Sequence, residues 1–269
     1  MLPSVKSAAI PGGVLEYVEQ GSGLPVVFLH GYSDSWRSFA SVLPHMPTTL
    51  RAIALSQRGH GDSYRPATGY RARHFAGDLA AFLDALAIDR AVIVGHCMGA
   101  QVAQRFAIEN PDRTLGLVLI GGYPTMRSNL VVQELWASTI QALSDPVDPA
   151  FVTEFQLSTL AQPVPAGWLD MAVAESLKVP ARIWREICEG LLKDDTSRDL
   201  ERISAETLIL WGDRDAICSR ADQAALAACI ARSHMTIYQG AGHAPHWEEP
   251  TRVAADVATF TQEQLLAAA

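Results

Sequence analysis

No stretch of this 269-residue chain reaches the roughly 18 consecutive apolar residues that a membrane-crossing helix needs. Basic residues are few: 21 Lys and Arg against 29 Asp and Glu leave a formal net charge of −8. That balance argues against a nucleic-acid partner, which requires a basic face to neutralise phosphates. Residues 1–6, MLPSVK, lack a basic start followed by an apolar run. No secretory leader is therefore expected, and a cytoplasmic location is. Cysteine is scarce as well. Cys97, Cys188, Cys218 and Cys229 form no C-x-x-C pair and no metal-ligand spacing, and are expected as free thiols. Gly12-Gly13 and Gly121-Gly122 are isolated turns, so there is no glycine-rich phosphate loop. Neither a metal nor an organic cofactor is implied.

What is present is a chain 49% hydrophobic, ordinary for a globular protein of one large domain, with or without an insertion. Short apolar runs at 14–19, 25–30, 51–55, 91–95, 115–121, 207–211 and 235–238 read as strands. Several are apolar throughout, as strands covered on both faces are. Between them, Phe75, Leu79, Phe82 and Leu86 recur at helical spacing, as do Val253, Val257 and Phe260. Ser219 is a helix N-cap candidate, with Asp222 three residues on. Strand–helix alternation of this kind predicts an α/β fold with a mainly parallel sheet and helices on both faces.

The alternation breaks across residues 123–202. Pro124, Pro146, Pro149, Pro163, Pro165 and Pro180 punctuate this span, with helix-like apolar pieces between them. It also holds Trp136, Trp168 and Trp184, half of the six tryptophans. A helical cap, or lid, inserted into a core of residues 1–122 and 203–269 is the expectation. If Trp136, Phe151, Phe155 and Trp168 face the cleft, they would roof a pocket for a small hydrophobic substrate. A core internal to the insertion would use the same aromatics.

The strongest local signal is Val92-Ile93-Val94-Gly95-His96-Cys97-Met98-Gly99-Ala100. An apolar strand runs into G-x-C-x-G and then into a helix. Glycines two residues either side of Cys97 let the backbone turn sharply and lift the thiol above the sheet. The following N–H then points from a helix start at any oxyanion that forms.

With four further stretches in the same order, this motif resembles the α/β-hydrolase superfamily along nearly the whole chain. His30-Gly31-Tyr32 is similar to its H-G-x oxyanion loop, and Arg58-Gly59-His60-Gly61-Asp62-Ser63 to its R-G-x-G-x-S turn. Ser56 stands where many members have Asp. Gly95-His96-Cys97-Met98-Gly99 resembles the G-H-S-M-G elbow with Cys in place of Ser. Trp211-Gly212-Asp213-Arg214-Asp215 and Gly240-Ala241-Gly242-His243 resemble the acid and histidine loops. The resemblance implies an eight-stranded-type sheet. It also implies Cys97 as nucleophile, Asp215 as acid, His243 as base, and an oxyanion hole from the N–H groups of Tyr32 and Met98. Asp213 is the rival acid; His246 and His234 are rival bases. His30 and His96 are expected to pack beneath the site.

The activity implied is hydrolysis of a carboxylic ester or lactone through an acyl-enzyme on Cys97. Capped members that hydrolyse a carbon–carbon bond of a diketone-type substrate offer an alternative. So does a triad-bearing small-molecule receptor. The cysteine itself is open to three readings: a natural cysteine hydrolase, like the dienelactone hydrolases at this motif; a serine-to-cysteine change that slows turnover or traps an acyl-enzyme; or a catalytically silent site. Epoxide hydrolase activity is disfavoured, because those members carry Asp at the elbow. The expected partner is a small hydrophobic ester, lactone or ketone, with the chain a monomer or homodimer.

Overall fold

A computed structural model describes residues 3–268. The leader expectation thus falls partly on residues outside the described ones. Eight strands form one sheet in the order β1-β2-β4-β3-β5-β6-β7-β8. They are β1 (Val5–Ile10), β2 (Gly13–Gln20), β3 (Leu24–Leu29), β4 (Leu50–Leu55), β5 (Ala91–His96), β6 (Thr114–Ile120), β7 (Thr207–Gly212) and β8 (Ser233–Tyr238). β1 and β2 pair antiparallel with their neighbours, and every pairing from β4 to β8 is parallel. Seven of these strands coincide with the apolar runs. β1 does not, because it is an edge strand that buries only Ala8 and Ile10 and so carries little apolar pattern.

Successive residues of a strand point to opposite faces, which divides the core in two. Val27, Leu29 and Ile93 join one cluster with Phe75, Leu79 and Phe82 of α1 (Ala72–Ala85) and Phe106 of α2 (Met98–Glu109). Val26, Phe28, Val92 and Val94 join the other with Val253, Val257 and Phe260 of a long C-terminal helix. Every residue of β5 and β7 is buried. The sheet is thus covered on both faces, as the unbroken apolar strands require.

Between β6 and β7 the chain forms α3 (Leu130–Ser138), α4 (Pro149–Leu157), α5 (Trp168–Leu177) and α6 (Ala181–Lys193). After β7 come α7 (Arg220–Cys229), α8 (Pro245–Glu248) and α9 (Pro250–Ala268). Ser219 caps α7 as expected: its Oγ accepts from the Asp222 N–H, and Asp222 reaches back to the Ser219 N–H at 2.8 Å. The R-G-x-G-x-S turn is held from below. Arg58 Nε donates to Asp78 Oδ2 at 2.7 Å, and Ser56 Oγ donates to Glu16 Oε2 at 2.8 Å. No helix of the described residues is long and apolar enough to cross a membrane.

Candidate active site

β3 and β5 are neighbours in the sheet, yet the chain leaves them in opposite directions. A crevice opens at the carboxyl ends of strands at such a point, which is where open α/β sheets bind ligands. Cys97 follows β5 directly, with φ 51° and ψ −112°, a conformation strained for any residue with a Cβ. Close packing over-determines it. A Cβ on Gly99 would come within 2.2 Å of the Leu29 carbonyl oxygen, and one on Gly95 within 2.2 Å of that of Gly99. Only glycine permits this approach of α2 to β3 and β5, and the approach aims the Cys97 side chain upward.

His243 sits in the loop after β8 and is buried. Its Nδ1 donates to Asp215 Oδ2 at 2.9 Å, and both side chains are essentially sealed from solvent. Asp215 Oδ1 accepts from the N–H groups of Ile217 and Cys218, each at 2.8 Å. Those bonds fix the carboxylate, and the carboxylate fixes the imidazole with Nδ1 protonated. The other ring nitrogen, Nε2, has no hydrogen-bond partner among the described residues. Burial would lower the pKa of this imidazole. The charge on Asp215, the influence of Cys97 and Cys218, and the bond to Asp215 outweigh burial and hold it well above the ordinary histidine range.

Asp213, the rival acid, instead accepts from the Gly240 N–H at 2.6 Å and shapes the turn. His246 is occupied with Ser38 Oγ at 3.1 Å, and His234 lies on β8 near Phe260. His30 and His96 are buried beside the site, as expected. The Gln57 N–H donates to His30 Nε2 at 2.9 Å, a bond only a neutral ring can accept. The backbone N–H of Tyr32 and that of Met98, first residue of α2, are taken up by no other group among the described residues.

Cys97, His243, Tyr32 and His96 share a cavity of about 510 Å³. Phe151 and Phe155 of α4 line it, while Trp136 and Trp168 do not. Trp168 packs against Trp247, ring centroids 4.4 Å apart, and Trp136 packs against the larger core cluster. The reason is packing: Trp168 belongs with Ala172, Ala244 and Trp247 to a small separate cluster, and Trp247 rather than Trp168 reaches the cavity. The lining contains Asp34, Glu134 and Glu154 but neither Lys nor Arg.

Three residues at this site carry no motif of their own. Cys188 lines the cavity, its thiol pushed up to about 12 by burial. Cys218 is buried beside Asp215 and His243, with Sγ donating to the Gly121 carbonyl at 3.3 Å. Donor atoms of Asp215, Cys218 and His243 lie within 4.8 Å of one another. The set does not suit a resident metal: both Asp215 oxygens are engaged by N–H groups, and burial drives the Cys218 thiol strongly toward its protonated form. The third, Asp34, is buried and faces the same cavity.

The model of the alpha/beta hydrolase family matches residues 26–256. The chain belongs to the alpha/beta hydrolase family. It is a hydrolase-family enzyme, similar to a non-heme chloroperoxidase of Streptomyces lividans, 28% identical over 260 residues that cover 89% of this chain and 92% of that one. It is also similar to a soluble epoxide hydrolase of Corynebacterium sp. (strain C12), 37% identical over 117 residues, 44% of this chain. That match spans only 41% of the epoxide hydrolase. Among solved structures, a thermophilic esterase from Thermogutta terrifontis superposes with a TM-score of 0.84 at 24% identity, covering 97% of this chain and 99% of that one. At that identity the likeness speaks for the fold alone.

Proposed function

We propose that this family member hydrolyses a small, neutral carboxylic ester or lactone through an acyl-enzyme on Cys97. The observation that carries the reading is the His243 ring. One nitrogen is locked by Asp215, and the other is unpartnered in the cavity that holds Cys97. His243 Nε2 takes the thiol proton as the sulfur attacks the acyl carbonyl. The tetrahedral oxyanion accepts the N–H groups of Tyr32 and Met98. Collapse breaks the acyl–oxygen bond, and the imidazolium returns its proton to the departing alcohol. Water, deprotonated by His243, then cleaves the thioester and frees the acid and the thiol.

Phe151 and Phe155, on the segment over the cavity, act as a cap that excludes bulk water during acylation. The Asp nucleophile of epoxide hydrolases is absent, since Cys97 occupies the elbow. The diketone reading gains no support from the lining, which offers no Lys or Arg to a substrate carboxylate. The test is iodoacetamide labelling during hydrolysis of 4-nitrophenyl acetate. Alkylation of Cys97, mapped by mass spectrometry, is expected to track loss of activity one for one. Full activity with Cys97 fully alkylated would end the proposal. In parallel, Cys97→Ser is expected to keep the fold; a sharp rise in its turnover would mark the cysteine as a replacement for serine.

A further inference from the structure

Asp34 has no role in the steps above, yet it is only 5% exposed and is among the residues that line the cavity holding Cys97. It follows the oxyanion loop closely. It lies two positions after Tyr32, at most about 7 Å of chain, and lines the same cavity as Tyr32 and Cys97. Both oxygens are held. Gln156 Nε2, from α4, donates to Oδ1 at 3.2 Å, and Ser38 Oγ donates to Oδ2 at 3.3 Å. Gln156 is braced in turn by Ser176 Oγ at 2.8 Å, and Ser176 by Ser33 at 3.2 Å. Gln156 Oε1 is left buried without a partner.

No cation neutralises this carboxyl. The titratable groups around it are His243, His96 (whose Nδ1 faces the same side of Gly31 as Asp34 Oδ2), His246 beyond Ser38, and Glu175 across a small crevice. Glu175 is itself paired with Arg37 and Lys178. Burial is the main influence on Asp34 and raises its pKa to about 7, against the pull of Gln156 and Ser38. A carboxyl that holds a proton near neutrality can donate and accept at once, which a carboxylate cannot. A hydroxyl has the same dual capacity. Gln156 Oε1, in the same lining, is buried without a partner, and leaving such a group unmatched is costly. A ligand hydroxyl that meets it gains what an apolar group forfeits.

Resting on the reading that Cys97 is acylated by an ester or lactone, we propose that Asp34 is a specificity-determining residue. Its carboxyl forms a polar subsite that selects neutral substrates bearing a hydroxyl on the acyl chain near the carbonyl. Glu134 and Glu154 in the same lining disfavour anionic competitors, and the remaining apolar walls take the hydrocarbon part.

Two esters of matched shape test this: methyl 3-hydroxybutanoate and methyl 3-methylbutanoate, which differ by OH against CH₃. Calorimetric binding to Cys97→Ala protein separates recognition from turnover. The hydroxylated ester is expected to bind about tenfold more tightly. That ratio should fall to about one in Cys97→Ala/Asp34→Leu and be partly restored by Asn at position 34. A purely structural Asp34 would lower the melting temperature and leave the ratio unchanged. A ratio of one with Asp34 present, or a hydroxyl preference that survives Asp34→Leu, overturns the subsite. Should the Leu variant fail to fold, Asp34→Asn and Gln156→Leu carry the comparison, each lowering the ratio at least about threefold. Methanol release by the otherwise unaltered protein is scored separately. An Asp34-dependent ratio without methanol release would leave the subsite standing and remove the hydrolysis reading.

Discussion

Along β5 and β7 every residue is buried, and Cys97 and Asp215 follow these two strands, while His243 follows the half-buried edge strand β8. The segment between β6 and β7 is built otherwise. α3 buries only Val132 and leaves Leu130 and Val131 exposed at 77% and 52%. α4 and α5 bury Gln156, Glu175 and Ser176 alongside their apolar residues. Close packing along β5 and β7 fixes where Cys97 and Asp215 stand. The sparsely buried α3, and α4 and α5 with their polar contacts, can change the lining without unfolding the sheet. On the proposed reading, the core loops hold the reacting groups, and Phe155 of the inserted segment together with Asp34 of a core loop sets which substrate fits.

Substitutions on the two sides should therefore divide between kcat and KM. The largest effect belongs to the sheet. Asp215→Asn removes the charge that orients and sustains the His243 imidazolium, and is expected to lower kcat about 10²- to 10⁴-fold with KM little changed. An equal loss carried in KM would break the comparison. On the other side, Phe155→Ala opens the cavity wall. KM for an apolar ester should rise about five- to tenfold, with kcat within about threefold. Steady-state kinetics on one ester series read both outcomes.

The smallest effect concerns acid stability, and it too belongs to the sheet region, because residues 123–202 contain no histidine. His30, His96 and His246 are held well below the ordinary range, chiefly by burial, and His60 is lowered to about 4 for the same reason. The unfolded chain binds protons at these positions below about pH 6.5, where the folded one refuses them. Their stabilising contribution is thus complete above pH 6.5 and is lost as the pH falls toward the folded values. Asp34, raised to about 7, works the other way between about pH 4 and 7. His243, raised, contributes fully below about pH 6.5 and loses that contribution as the pH rises from there through its folded value, so two groups oppose the four. The expected net result is a melting temperature about 5 °C or more lower at pH 5 than at pH 7.5, measured by circular dichroism. An unchanged value would show that these rings do protonate in the folded protein.

Much of the site was legible from local patterns. The G-x-C-x-G spacing announced the elbow, and the glycine turn before His243 distinguished it from His246 and His234. Asp34 carried no comparable signal: a lone acid in a loop reads as solvated, and its burial depends on α4, whose Gln156 lies 122 residues away. Cys218 reads as an ordinary buried thiol for the same reason. Trp168 was legible as a buried aromatic but not as one that serves Trp247 rather than the cavity.

The sequence by itself determined the α/β architecture, the place of Cys97 in a strand–turn–helix elbow and the order of Cys97, Asp215 and His243 along the chain. Apolar runs, glycine sterics and chain order are local properties, and they hold wherever the rest of the chain goes. Only the tertiary structure decided which aromatics face the cavity, which second thiol lies beside Asp215 and His243, and that a buried carboxyl stands beside the oxyanion loop. Those facts depend on how helices docked from distant segments meet the sheet. Side-chain direction at such a contact is set by packing across the interface, which no single stretch of sequence encodes.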